Sequence, residues 1–335
     1  MLQGHGDDGY QYGKPILADF STNVWYGGEP AGLKAYLFDR WSSINRYPEV
    51  LAESLIERLS VHHQQAPTQF LVNSGTTESI YLVAQAFAGS RTTIVIPAFA
   101  EYEDATRMHG HTLTFLPWEQ TEALPESDLV FICNPNNPTG AVFQKLDYWL
   151  QTYPQTVFVV DEAFIDFTRA IDSCESLIAS YGNLIILRSL TKTYAIPGLR
   201  LGYVMAQENG IERLKRYKQP WTVNALALAA GHFIFEHFDA IQLPLDQLLI
   251  DKEKVVTALR THSGLRIHNS HTHFFLGETL DNTAAELKRY LLESHGLLIR
   301  DASNFRGLSP RHFRIATRTP EENQWLLNAL QTWPC

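Results

Sequence analysis

Residues Asn183–Ala206 read "NLIILRSLTKTYAIPGLRLGYVMA". Two apolar runs, "NLIILR" and "LRLGYVMA", flank a hydroxyl-rich turn that carries Lys192, with Arg200 a short loop further on. Runs that are apolar on both faces suit strands of a sheet covered by helices. A lysine beside the end of a buried strand needs a partner, water or a chemical task. Upstream the same kind of run recurs in "FLVNSG", "TTIVIPA", "DLVFICN" and "TVFVVDEAF". Between these, "TTESIYLVAQAFAG", "EYEDATRMHGH" and "FQKLDYWLQTY" have helical apolar spacing. The alternation predicts an α/β domain over residues 45–235, with a mostly parallel sheet between helices. Beyond it, "DQLLIDKEKVVTALRTH", "LRIHNSHTHFFLGE", "LKRYLLESHGLLIRD" and "HFRIATRT" mix helix and hairpin. Residues 236–335 are therefore expected to form a smaller α+β domain, joined by an N-terminal arm of residues 1–44.

The 335 residues are 45% apolar, enough for a large core in two lobes. The net charge of −9 and the lack of a basic stripe argue against a nucleic-acid partner. Cys133, Cys174 and Cys335 are odd in number and far apart, which suits neither a disulfide framework nor a zinc cluster. The opening "MLQGHGDDGYQYGKP" has no basic-then-apolar signal, and no apolar run approaches membrane-spanning length. A cytoplasmic protein without a membrane partner is expected. The glycine spacing of Gly4–Gly9 formally matches a dinucleotide fingerprint but has no strand before it. In "HNSHTHF", alternation would put His271 and His273 on one strand face, with no third ligand identifiable, so no metal is expected.

In an open parallel sheet, ligands bind beyond the carboxyl ends of the strands. The residues just after each apolar run are therefore informative. "FLVNSG" leads to Gly75, Thr76 and Thr77 at a helix start, a cradle for phosphate. "TTIVIPA" leads to Phe99 and Tyr102, an aromatic pair, and "DLVFICN" to the Asn-rich turn "NPNNPTG". "TVFVV" leads to Asp161, and "NLIILR" to Ser189 and Lys192. A phosphate cradle, an aromatic platform, an acid and a lysine are what pyridoxal 5'-phosphate requires. The lysine bonds its aldehyde, and the carboxylate keeps its ring nitrogen protonated.

With "NPNNPTG", "VVDEAF" and "SLTKTYAIPGLRLGY" in this order, nearly the whole chain resembles the fold-type I pyridoxal-phosphate enzymes of the class I/II aminotransferase superfamily. It is most similar there to the small branch holding threonine-phosphate decarboxylases and histidinol-phosphate aminotransferases. The resemblance implies roles. Lys192 forms the covalent aldimine and shuttles protons. Asp161 pairs with the pyridinium nitrogen, and Asn137 bonds the ring's phenolic oxygen. Ser189 and Arg200 hold the phosphate with Gly75, Thr76 and Thr77, and Tyr102 covers the ring face. Tyr47, in "NRYPE", reaches the cofactor phosphate of a neighbouring subunit, in a homodimer with shared sites. Arg314 binds a substrate anion, with Arg300, Arg306, Asn23 and His5 completing that side.

Phe164 departs from the tyrosine common at its position, which leaves the ring oxygen more dependent on Asn137. Arg300, Arg306, Arg314 and Arg318 place four guanidinium groups in one stretch, and at least one is expected to face solvent. The segments "ADFSTNVW" and "LLIRDASNFRGLSPRHFRIATRTPEEN" resemble the decarboxylases. The implied function is a pyridoxal-phosphate-dependent lyase acting on a phosphorylated amino acid, as in cobalamin biosynthesis. The alternatives are an aminotransferase for histidinol phosphate or a related amino acid or amino alcohol, and a catalytically silent binding module. The joint presence of Lys192, Asp161 and Arg200 speaks against the silent module, which needs no aldimine lysine.

Overall fold

In the computed structural model, which describes residues 6 and 8–333, the chain enters through a two-residue strand, β1 (Ala18–Asp19). Helices α1 (Leu33–Asp39) and α2 (Glu53–His63) come next. The main run is then β2 (Phe70–Asn73), α3 (Gly75–Ala86), β3 (Arg91–Ile96), α4 (Glu101–Met108), β4 (Thr112–Pro117) and β5 (Leu129–Cys133). It continues through α5 (Leu146–Thr152), β6 (Val157–Asp161), β7 (Leu184–Ser189), β8 (Gly202–Ala206), α6 (Glu208–Lys215) and α7 (Ala225–Glu236). The remainder holds α8 (Leu245–Leu259), β9 (Leu265–Ile267), β10 (Phe274–Thr279), α9 (Ala284–His295), β11 (Leu297–Leu298), β12 (Arg300–Asp301), β13 (His312–Ala316) and α10 (Pro320–Gln331).

The seven-stranded sheet has the order β2-β8-β7-β6-β5-β3-β4. It is parallel except for β8, which runs antiparallel to both β2 and β7. Strand alternation splits its side chains between two cores. Val72, Val130, Val160 and Ile186 enter one, while Leu71, Phe131, Val159 and Leu187 enter the other. Both faces are covered by helices, so the central strands are apolar throughout, as the fold class requires. The apolar runs of the sequence account for the other six strands but mark none at "TLTFLP". That segment is β4, an edge strand whose first four residues alternate between exposed and partly buried before the buried Leu116.

The second sheet, β12-β13-β10-β9, packs against α8, α9 and α10 around Phe275, Leu287, Phe313 and Leu326. The N-terminal β1 pairs with β11, Ala18 opposite Leu297, so the arm is stitched to this smaller unit. Helices α9 and α10 both begin in capping boxes, Thr283 with Glu286 and Thr319 with Glu322. The expected histidine face is absent: residues 271–273 form bends rather than strand, leaving His271 exposed and His273 buried.

Candidate active site

A cleft opens where β5, β6 and β7 end, walled on its far side by the small sheet and the arm. Its lining includes Asn23, Thr76, Thr77, Phe99, Asn137, Asp161, Lys192, Arg200, Arg300 and Arg314. Residues scattered over nearly three hundred positions of sequence thus meet in one place.

Asp161 is the last residue of β6, paired in the ladder with Cys133 on one side and Leu187 on the other. It is 4% exposed, and its carboxylate accepts hydrogen bonds from the Tyr102 hydroxyl (2.8 Å) and the Ala163 N–H (3.0 Å). Burial pushes its carboxyl up to about 6, although the Tyr102 and Ala163 bonds and the nearby Lys192 pull the other way. A buried carboxylate so placed is built to meet a cation.

Tyr102, expected to lie over a cofactor ring, is fully buried instead. One face stacks on Phe131 (5.2 Å) and its hydroxyl is committed to Asp161. Burial and the neighbouring Asp161 raise its pKa well above the usual tyrosine value, so it stays protonated and remains a donor. Its aromatic neighbour Phe99, less buried and on the cleft wall, is the ring left to face a ligand.

Lys192 lies in the loop after β7, half-buried, with its carbonyl accepting from the Trp25 N–H at 2.9 Å. At the start of α3, Gly75 has φ +79°, and a Cβ there would come within 2.6 Å of the Arg200 guanidinium. Glycine is therefore needed for both the turn and the close approach. Thr76 and Thr77 in the first turn of α3 line the cleft together with Arg200, beside a helix N-terminus suited to an anion. Arg200 is itself held at φ +61°, with Nη1 donating to the Pro197 carbonyl (2.9 Å). Ser189 is buried just behind, bonded to Thr191 (2.8 Å), and Thr191 rather than Ser189 forms the lining. Phe164 packs edge-on against Phe274 (4.9 Å) and brings no hydroxyl to the site.

The substrate side comes from the small sheet. Arg300 on β12 and Arg314 on β13 are direct cross-strand partners, 5% and 4% exposed. Arg314 donates from Nη1 to Asn137 Oδ1 (2.5 Å) and from Nη2 to the Ser21 carbonyl, while its Nε has no partner. The Asn23 Nδ2 is likewise buried without one. Burial, reinforced by the Arg300 charge, lowers the Arg314 pKa to about 9.

The remaining sequence candidates divide. Arg306 is drawn away from the cleft: its Nε and Nη2 grip both oxygens of Glu103 at 2.6 Å, over the Phe115 ring. Arg318 is likewise engaged elsewhere, by Glu322 (2.9 Å) and the Asp19 carbonyl. Tyr47 is 83% exposed against Trp221 (5.1 Å), outside this chain's own cleft. His5 lies outside the described residues. The sequence reading missed Thr191 and Thr22 as lining residues, although both sit inside stretches it had singled out.

The sequence profile of the family described as "Aminotransferase class I and II" matches residues 29–330. The chain belongs to that family. Its members depend on pyridoxal phosphate. Threonine-phosphate decarboxylase of Salmonella typhimurium is 33% identical over 94% of this chain and 90% of its own length. A histidinol-phosphate aminotransferase of a Thermoanaerobacter species is 30% identical over 87% and 85%. The crystal structure of L-threonine-O-3-phosphate decarboxylase from Porphyromonas gingivalis superimposes with a TM-score of 0.92 at 40% identity, covering 94% of this chain and 99% of that one. One antiparallel strand, β8, sits inside the otherwise parallel sheet and returns the chain directly after the lysine loop. Among the described residues, no helix is long and apolar enough to cross a membrane.

Proposed function

We propose that this protein is a pyridoxal-phosphate-dependent decarboxylase of a phosphorylated amino acid, with threonine phosphate as the first substrate to test. The cleft fits the cofactor. Thr76, Thr77, the α3 N-terminus and Arg200 would hold its phosphate, with Ser189 behind. Asp161 would hold its ring nitrogen, Asn137 its ring oxygen and Lys192 its aldehyde carbon, covalently. Phe99 would cover the ring. Tyr47 would reach the phosphate of a second copy, in a homodimer. Once bound, pyridoxal phosphate supplies an electron sink for the pair left when a bond at the amino-acid α-carbon breaks.

The chain's own residues do the rest. Tyr102 and the Ala163 N–H keep the Asp161 carboxylate aimed into the cleft. Lys192 Nζ carries the proton that the α-carbon takes once carbon dioxide has left. Arg314 Nε and Asn23 Nδ2 hold the substrate carboxylate, and Arg300 is placed for the phosphate. The observation that carries this reading is the pair of buried, cross-strand guanidinium groups beside two unpartnered donors. Two adjacent cations in a desolvated wall suit a substrate with two anionic groups, which threonine phosphate has; histidinol phosphate has one, and in the aminotransferase reaction only the 2-oxoglutarate would have two.

The aminotransferase reading is kept because of the histidinol-phosphate relatives. Purified protein loaded with cofactor is incubated with threonine phosphate, and separately with histidinol phosphate and 2-oxoglutarate. Carbon dioxide and the amino-alcohol phosphate are expected from the first mixture. Glutamate from the second, with no carbon dioxide from the first, would replace the decarboxylase by the aminotransferase. A colourless protein that borohydride cannot fix to cofactor would leave only the silent binding module.

A further inference from the structure

Asp161 and Lys192 stand on backbone of very different stiffness. Asp161 is locked on both sides by strand pairing, whereas Lys192 lies in a loop with no ladder of its own. Its carbonyl meets Trp25 and, more loosely, the Ala195 N–H at 3.4 Å. A reacting amine needs its position fixed, since small misplacements cost large factors in rate.

A chain of charged groups spans the gap. Glu162, directly after Asp161, is 3% exposed and accepts from Ser173 Oγ (2.7 Å), the Cys174 N–H (2.7 Å) and Arg188 Nη1 (3.1 Å). Arg188, on β7, turns its Nη2 to Asp166 Oδ1 (3.3 Å). The second oxygen of Asp166 accepts from Thr193 Oγ1 at 2.7 Å. Thr193 directly follows Lys192. Both ends of the chain are thus covalent neighbours of the acid and the lysine, and none of Glu162, Arg188, Asp166 and Thr193 lines the cleft. Their place in the fold suits positioning rather than contact with substrate.

We propose that Asp166, acting through Thr193, is a positioning residue for Lys192, with Arg188 and Glu162 tying that contact to the strand that carries Asp161. The proposal rests on the reading of Lys192 as the covalent residue. Asp161 and His273 each interact electrostatically with Lys192 from other elements, and the test leaves both in place.

Thr193→Val removes the hydroxyl at constant shape, Thr193→Ser restores it, and Asp166→Asn keeps the size of the acceptor while removing its charge. Each variant is loaded with cofactor, assayed, and titrated through the pH dependence of the bound cofactor's visible absorbance. Borohydride fixation and then peptide mapping gives the labelled lysine. Thr193→Val is expected to lower kcat about 10-fold with KM within about twofold, and to move the absorbance midpoint, while Lys192 is still labelled. Thr193→Ser is expected to recover both readouts, and Asp166→Asn to share the loss in kcat. Wild-type kcat and midpoint in Thr193→Val, or a serine variant no better than valine, overturns the proposal. Should the valine variant fail to fold, wild-type behaviour of Asp166→Asn overturns it as well. Label on a lysine other than Lys192 in the unaltered enzyme brings down the covalent reading itself, a failure distinguishable from the other two.

Discussion

On one wall of the cleft, Asp161 and Lys192 stand at or just past the ends of adjacent strands β6 and β7, each inside a short contiguous motif. On the facing wall, Arg300 and Arg314 pair across β12 and β13 and are joined by Ser21 and Asn23 of the arm. The first wall carries a buried carboxylate pushed up to about 6, the second a buried guanidinium pushed down to about 9. Desolvation is the leading cause in both, with opposite sign because the charges are opposite. Each wall is therefore suited to a ligand group of the other charge, which on the proposed reading is a cationic ring nitrogen on one side and substrate anions on the other. Asn137 bridges the two, since its side chain sits on the cofactor wall and accepts from Arg314.

Removing the lysine proposed to bond the cofactor should break the first wall outright. Lys192→Ala is expected to cut kcat by about 10⁴-fold or more while the protein still folds, as judged by circular dichroism. Wild-type turnover in that variant would remove the motif assignment. Asp161→Asn is expected to cost about 10²–10³-fold in kcat. It should also stabilise the cofactor-free protein. A folded pKa of about 6, raised from the usual 3.8, means that ionising Asp161 costs stability progressively as pH rises from 4 through 6. The full cost is about 3 kcal/mol, and loss of one of two hydrogen bonds offsets about 1 of it. Thermal melts of the cofactor-free variant should run above wild type at pH 7.5 and converge near pH 4. A lower melting temperature at pH 7.5 would mean that the carboxylate is already compensated.

The two walls also differ in how far the sequence disclosed them. Six sheet strands and the acid, lysine and cradle residues were legible because each strand is a continuous apolar run ending in a functional group. The facing wall depends on strand register, which brings Arg300 opposite Arg314 and sends Arg306 outward. No local pattern encodes that partition. Tyr102 shows a different limit: an aromatic residue beside a cofactor motif reads as a stacking ring, but burial turned it into a hydrogen-bond donor to Asp161. Strand β4 escaped notice because its half-exposed alternation lacks the apolar density of its neighbours.

Arg314→Lys sharpens the second wall. Lysine keeps a charge but cannot present Nε while holding Asn137 and Ser21 at once. We expect KM for the phosphorylated substrate to rise roughly 10- to 100-fold, with cofactor absorbance unchanged. An unchanged KM in Arg314→Lys would place the carboxylate on another group, with Arg300 the next candidate.

The smallest effect is expected at Arg306, and it separates the two walls most cleanly. In sequence Arg306 is indistinguishable from its neighbours Arg300 and Arg314, but in the fold it spans from the small unit to α4 and closes on Glu103 beside Tyr102. Its guanidinium holds the Glu103 carboxyl below the usual carboxylate range, with Arg107 adding to the effect. The pair's contribution is therefore present above about pH 4.5 and lost as pH falls through the depressed value. Arg306 is close to half exposed, so solvent screens the pair and its worth is about 0.5–1 kcal/mol. Arg306→Ala should leave KM for phosphorylated and unphosphorylated substrate within about twofold of wild type, and lower the melting temperature slightly at pH 7, by a margin that shrinks as pH falls below about 4.5. If KM rose for the phosphorylated substrate alone, Arg306 would have to leave Glu103 when substrate arrives. The phosphate would then belong to it rather than to Arg300, and the division of the four arginines between cleft and surface would need redrawing.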